Sequence, residues 1–326
     1  MKKLIKFLIY FFSIAIIAVA LLLTYVKAVL PSVGKAPELK VNPSPEIIER
    51  GRYLANHVMV CMDCHSTRDW SLFSGPPVRG TEGAGGEIFN QELGFPGKYV
   101  ASNITPYNLG KWTDGEIFRA ITSGETKDGR ALFPIMPYHN FGKLDKGDIE
   151  AVIAYLRNLK PIEKGTEKSS SDFPMNFIIN TMPKKAEFTT IPPASDIINY
   201  GKYLITASSC IDCHTKQDKG KLVGEHFAGG NEFKFPDGSV LRSTNITPDN
   251  NTGIGSWSKE KFIERFKIYT DSSFSLPKIK QGEMQTIMPW TMYAGMKTED
   301  ISAIYAYLQS VKPVTNAVIK FTPQKK

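Results

Sequence analysis

The chain has 326 residues, 42% apolar and 22% charged, with 26 Gly, 21 Pro and four Cys. That is room for two ordinary domains with cores, and it excludes collagen-like chains, disordered chains and small disulfide scaffolds. The formal charge of +8 gathers at the start, where Lys2, Lys3, Lys6 and Lys27 flank an apolar run and no acid precedes Glu38; no Lys/Arg stripe interleaved with aromatics follows, so nucleic acid is not an expected partner.

Phe7 to Val26 carries no charge and is interrupted only by hydroxyl side chains such as Ser13, Thr24 and Tyr10. A helix of this length reaches about 30 Å, the depth of a bilayer hydrocarbon core. The lysines before it favour a cytoplasmic N-terminus. The expectation is a single-pass anchor in the cytoplasmic membrane, with the rest of the chain on its periplasmic side. A cleaved signal would place the rest of the chain in the same compartment, but its apolar part is normally about 7–15 residues.

Beyond the anchor the chain contains itself twice. Ile48-Glu-Arg-Gly-Arg-Tyr-Leu54 precedes Cys61-Met-Asp-Cys-His65, and Ile198-Asn-Tyr-Gly-Lys-Tyr-Leu204 precedes Cys210-Ile-Asp-Cys-His214. Ala84-Gly-Gly86 matches Ala228-Gly-Gly230, Asn103-Ile-Thr-Pro106 matches Asn245-Ile-Thr-Pro248, and Trp112 matches Trp257. Ile135-Met-Pro-Tyr138 matches Ile287-Met-Pro-Trp290, and from there the halves run in step to Lys160-Pro161 and Lys312-Pro313. The domain reading is residues 1–40 as anchor and tether, 41–163 as the first domain, 164–194 as an interdomain linker and 195–326 as the second domain. Phe173, Phe177, Ile178 and Ile179 suggest that the linker, read as a long loop, packs along a surface.

Each domain reads as mostly α. Ser44-Pro45 and Ser195-Asp196 start helices that lead to the cysteines. Shorter helices follow Trp112 and Trp257. Ile149, Val152, Ile153 and Leu156 recur at helical spacing, as do Ile301, Ile304, Tyr305 and Leu308, where Thr298 is the expected cap. Gly51 and Gly201 are expected to let each first helix approach the last helix of its domain, near Tyr155 and Tyr307.

All four cysteines lie in Cys-x-x-Cys-His pentads. A thioredoxin-type pair would need a βαβ context, which is absent, and zinc pairs usually lie about 15–20 residues apart, whereas Cys61 and Cys210 are 149 positions apart. Covalent haem attachment uses all five positions. Two thiols add to the vinyl groups, and the adjacent histidine is held under the iron. The expected cofactors are two haems c, bound through Cys61, Cys64, Cys210 and Cys213, with His65 and His214 as iron ligands.

Met136 and Met288 are the expected opposite ligands. Each is followed by Pro and an aromatic residue, and a thioether is a soft ligand that raises the reduction potential. The repeat sets Met284, Met292 and Met296 against Leu132, Asn140 and Leu144, which marks them as filler or surface. His139 is the rival ligand in the first domain, set against Thr291. His57 and His226 read as structural or surface residues. Asn103, Thr105, Asn245 and Thr247, with Trp112 and Trp257, are candidates for holding buried haem propionates, with simple turn formation as the alternative reading of the Asn-x-Thr segments.

Together these residues resemble the cytochrome c family, as a tandem of class I-type domains. The Asn-Ile-Thr-Pro, Trp and Met-Pro-aromatic series is similar to that of the cytochrome subunits of membrane-bound alcohol and gluconate dehydrogenases, which usually carry three haem motifs against two here. The resemblance implies an electron carrier rather than an enzyme. Its partners would be redox proteins, whether a dehydrogenase, a quinol-side donor or a terminal oxidase. The alternative is a dihaem peroxidase, which needs one iron with a releasable ligand.

Overall fold

The computed structural model describes residues 1–324. Helix α1 (Lys2–Ala28) buries none of its side chains, and it is long and apolar enough to cross a membrane. The extended tether that follows lies on the first repeat, where the Val41 amide donates to Asp114 at 2.9 Å.

In the first repeat, α2 (Pro45–Tyr53) begins at Ser44, whose hydroxyl accepts from the Ile47 amide. It widens into a π-turn at Leu54–Val58 and leads to α3 (Cys61–Cys64). Two short strands, β1 (Ile88–Phe89) and β2 (Gly97–Val100), pair antiparallel. Helices α4 (Pro106–Leu109), α5 (Asp114–Ser123), α6 (Tyr138–Phe141) and α7 (Lys146–Asn158) complete the repeat. A full capping box between Thr113 and Glu116 starts α5. The connecting stretch is not a bare loop, because Ser170–Ser171 forms β3 against β2 and Met175–Ile178 forms α8.

The second repeat follows the same plan. Helix α9 (Ile197–Ala207) is capped by Asp196 and leads to α10 (Cys210–His214). Strands β4 (Gln217–Asp218) and β5 (Lys221–Leu222) form a hairpin. Strands β6 (Glu232–Lys234) and β7 (Val240–Arg242) pair with each other, and β8 (Phe321–Thr322) joins β7. Helices α11 (Lys259–Lys267), α12 (Trp290–Tyr293) and α13 (Thr298–Ser310) close it. Thr298 is the first residue of α13 and not its cap. Lys297 holds the cap position without a side-chain bond, and its amide donates instead to the Tyr53 hydroxyl at 3.0 Å.

Within each repeat the first and last helices cross at a glycine. A Cβ at Gly51 would collide with the Ala151 carbonyl and approach Tyr155. One at Gly201 would collide with the Ala303 carbonyl and approach Tyr307. Only glycine lets the backbones meet this closely.

The two repeats share one apolar core and exchange hydrogen bonds reciprocally. Tyr53 of the first donates to Asp300 of the second, and Tyr203 of the second donates to Asp148 of the first at 2.6 Å. The same two hydroxyls accept amides from across the boundary, Tyr53 from Lys297 and Tyr203 from Asp145. Domain 2 adds a strap. The Gln285 carboxamide accepts from the Ser74 amide at 2.9 Å, and Phe73 and Ser71 exchange backbone bonds with Pro277 and Ile279.

Candidate haem-attachment sites

Both cysteine turns are built the same way. The residue before the first cysteine is left-handed, Val60 at φ 47° and Ser209 at φ 53°. A β-branched valine there is a genuine outlier, and such residues persist only where the surroundings hold them. The kink ends the incoming helix and starts a new turn that carries both cysteines and the histidine. In the first repeat the His65 amide closes this turn on the Cys61 carbonyl at 3.0 Å.

The histidines are fixed through one ring nitrogen. His65 Nδ1 lies 2.7 Å from the Ser102 carbonyl, and His214 Nδ1 lies 2.8 Å from the Thr244 carbonyl. A carbonyl only accepts, so Nδ1 carries the proton and Nε2 is left with its lone pair free for a metal. Burial pulls both imidazoles below the usual histidine range, which keeps them neutral, the ligand form. Sequence reasoning missed the partners of this lock. The repeated Ala-Gly-Gly was the available signal. Gly85 and Gly229, at φ 68° and 75°, let the chain press against the backbone at Ser102 and Thr244. Their amides also donate to the carbonyls of His65 and His214, at 2.9 and 2.8 Å.

The four cysteines form no disulfide among the described residues. Burial pushes Cys61, Cys64 and Cys210 up to about 12. Reactive redox pairs need the opposite shift. Among the described residues, no three His, Cys, Asp or Glu side chains gather to hold a bare metal ion. Paired neutral thiols one turn from a locked imidazole fit a macrocycle held by two thioethers and one axial nitrogen.

Met136 and Met288 are half-buried and pack against the same core as Cys61 and Cys210. Each carbonyl accepts the amide two residues on, Tyr138 and Trp290, at 2.8 Å. Met292 and Met296 are buried core, and Met284 is exposed. His139 Nε2 is 2.9 Å from Asp212, inside the second cysteine motif, and Asn140 donates to the same carboxylate at 2.8 Å. The counterpart Asp63 is buried and pushed up to about 6 by that burial, against the pull of Arg68 at 3.2 Å. His57 is half-buried with Nδ1 2.9 Å from the Met292 carbonyl, and His226 is exposed.

The Asn-x-Thr segments bond within the protein. Asn103 accepts from the Thr105 amide and hydroxyl and donates to the carbonyls of Ile162 and Lys164. Asn245 accepts from Thr247 in the same way and donates to Thr252 and the Val314 carbonyl. Their side-chain oxygens form the local turn, and bonds to the carbonyls of Ile162, Lys164 and Val314 tie down the segment after each last helix.

Residues 198–312 match the family of "Cytochrome c". The second repeat thus matches the cytochrome c family, and the chain as a whole is similar to cytochrome c subunits and to a diheme cytochrome. The chain is 28% identical over 289 residues to the cytochrome c subunit of an alcohol dehydrogenase (quinone) of Gluconacetobacter polyoxogenes, covering 82% of this chain and 56% of the relative. It is 37% identical over 123 residues to the gluconate 2-dehydrogenase cytochrome c subunit of Pantoea cypripedii, covering 37% of this chain and 25% of the relative. It is 26% identical over 273 residues to a diheme cytochrome c-type protein of Cereibacter sphaeroides, covering 78% of this chain and 82% of the relative. The chain spans only about half the length of the alcohol dehydrogenase subunit. The family match implies binding of haem c, and the chain has two Cys-x-x-Cys pairs.

Proposed function

We propose that this protein is a membrane-anchored dihaem electron carrier. The reading makes residues 41–163 and 195–326 two class I cytochrome c domains in tandem, joined by 164–194, with α1 retained as a single span of the cytoplasmic membrane and both domains on the periplasmic side. The observation that carries it is the duplicated Cys-x-x-Cys-His turn with each imidazole locked through Nδ1. Cys61, Cys64 and His65 would hold one haem and Cys210, Cys213 and His214 the other, with Met136 and Met288 as the second axial ligands. A bound haem supplies the Fe(II)/Fe(III) couple.

The chain's own residues do the rest. The Ser102 and Thr244 carbonyls orient the imidazoles and make Nε2 a better donor. The shared core packs against Cys61 and Cys210 and supports both attachment turns. A carrier needs both axial positions filled, and each repeat supplies a methionine. A peroxidase would need a free base beside an open position. His139 is the nearest candidate, and it is bonded to Asp212. The dehydrogenase subunits among the relatives suggest a membrane dehydrogenase as electron donor, passing electrons on towards an oxidase.

The test is haem stoichiometry with spectroscopy. The purified protein should hold two haems that resist acid-acetone extraction, and Cys64→Ala should leave one properly attached. Met136→Ala and Met288→Ala should each change the spin state of one haem and lower its potential. A wild-type protein with no covalent haem would overturn the reading, and rapid peroxide turnover by the half-reduced protein would replace carrier by peroxidase.

A further inference from the structure

Phe173 is 82% exposed, more than any other large apolar side chain after α1 among the described residues. It belongs to a segment fixed on two sides. Upstream, β3 pairs with β2, the Asp172 amide donates to the Pro96 carbonyl at 3.0 Å, and the Asp172 carboxylate accepts from Gln91 at 2.8 Å. Downstream, α8 rests on the end of the apolar helix. Lys27 donates to the Asn176 carbonyl at 2.7 Å and its ammonium sits 4.8 Å over the Phe177 ring. Leu23, Thr24, Lys27, Ala28 and Phe177 line one shallow groove between the two helices. Phe173 packs edge-on to Phe177, and Ile178 is 43% exposed.

Lys27 is the first charge after the uncharged run from Phe7 to Val26. If α1 spans a bilayer, Lys27 lies at the headgroup level, where long basic side chains settle. Phe177 is then at that level too, because Lys27 touches it. A mobile loop would not hold aromatic side chains beside a membrane helix. This one does, because its backbone is tied to β2 and to Lys27. Interfacial segments insert their apolar side chains about 5–10 Å into the boundary between headgroups and acyl chains.

We propose that the turn from Phe173 to Ile178 is a second membrane contact, inserting Phe173 and Ile178 into the outer lipid interface beside α1. It would act as a bracket that sets how the first domain stands on the bilayer, where α1 alone would leave a swivelling tether. This rests on the proposed retention of α1 as a membrane span.

The experiment uses the full-length, haem-loaded protein in nanodiscs of phosphatidylcholine and phosphatidylglycerol. Nitroxide labels are placed at Phe173→Cys and Ile178→Cys, at Ile16→Cys within α1, and at Ser256→Cys as an exposed reference. Collision with lipid-soluble oxygen is compared with collision with a water-soluble nickel chelate. The expected oxygen-to-nickel ratio at 173 and 178 is several-fold above that at 256 and below that at 16. A ratio at 173 equal to that at 256 would overturn the contact. Shielding of 173 from both reagents would also overturn it, pointing to a second copy of the chain as occupant. A water-like ratio at 16 would instead sink the membrane-spanning reading of α1, so the two failures are told apart.

Discussion

Asp148 and Asp300 hold the same place in the two repeats and are buried alike, yet they answer to different partners. Arg50 grips Asp148 with two bonds of 2.8 Å, and Tyr203 adds a third from across the boundary. Asp300 has no ion-pair partner among the described residues. Tyr200 stands where the first repeat has Arg50, and its hydroxyl and that of Tyr53 converge on the carboxylate. The attachment turns differ in the same manner. Asp212 takes His139 and Asn140 from the other repeat, whereas Asp63 takes Arg68 from its own. What recurs is backbone geometry, in the glycine crossing, the left-handed residue before the cysteines and the carbonyl lock on the histidine. What diverges is the charge placed around that frame.

The largest effect should come from removing the two aspartates. Asp148→Ala leaves a half-buried guanidinium unpaired, which typically costs about 3–5 kcal/mol. Asp300→Ala strands only hydroxyls, at about 1–3 kcal/mol. Denaturant unfolding of the haem-loaded variants checks this, and equal losses would show that the Arg50 charge does not distinguish the repeats.

The glycine crossings should behave alike. Gly51→Ala and Gly201→Ala each force a methyl into a facing carbonyl, an overpacking of about 1–3 kcal/mol. A tolerated alanine in one repeat and not the other would mean that the common frame is looser than the common sequence implies.

The smallest effect concerns pH. Burial, with help from nearby Arg52 and Lys267, holds His57 below the usual histidine pKa of 6.5. Its contribution to stability is therefore full above about pH 6.5 and is lost as pH falls through the depressed value. The second repeat has Ala207 at this place. Melting temperatures from pH 8 down to 5 should fall less steeply in His57→Gln, and an unchanged slope would exclude His57 as the source.

The repeat, the cysteine turns, the glycine crossings and most helix starts were legible in the sequence because each is a local pattern with one physical reading. The aspartate partners were not. Tyr53 and Tyr203 look identical in a repeat alignment, and nothing in the string says that each bonds to the opposite copy. Asn103 and Asn245 have partners that are hidden for a related reason. Their polar side chains signal a buried acceptor or donor nearby, but the carbonyls of Ile162, Lys164 and Val314 that satisfy them arrive from 59 or more positions away. Thr298 looked like a cap because its neighbours do not announce that a tyrosine from the other repeat already takes the Lys297 amide.

The reciprocal tyrosine–aspartate bonds have the form of an isologous contact, the kind made when two identical subunits meet across a rotation axis and residue i of each touches residue j of the other. Here both subunits belong to one polypeptide. A true homodimer must change both sides of such a contact at once, since one gene encodes both. Fusion lifts that restriction, so arginine can stand at position 50 and tyrosine at position 200, and histidine at 139 with threonine at 291. A homodimer of either half alone could not present two differently charged environments to its two haem-attachment turns.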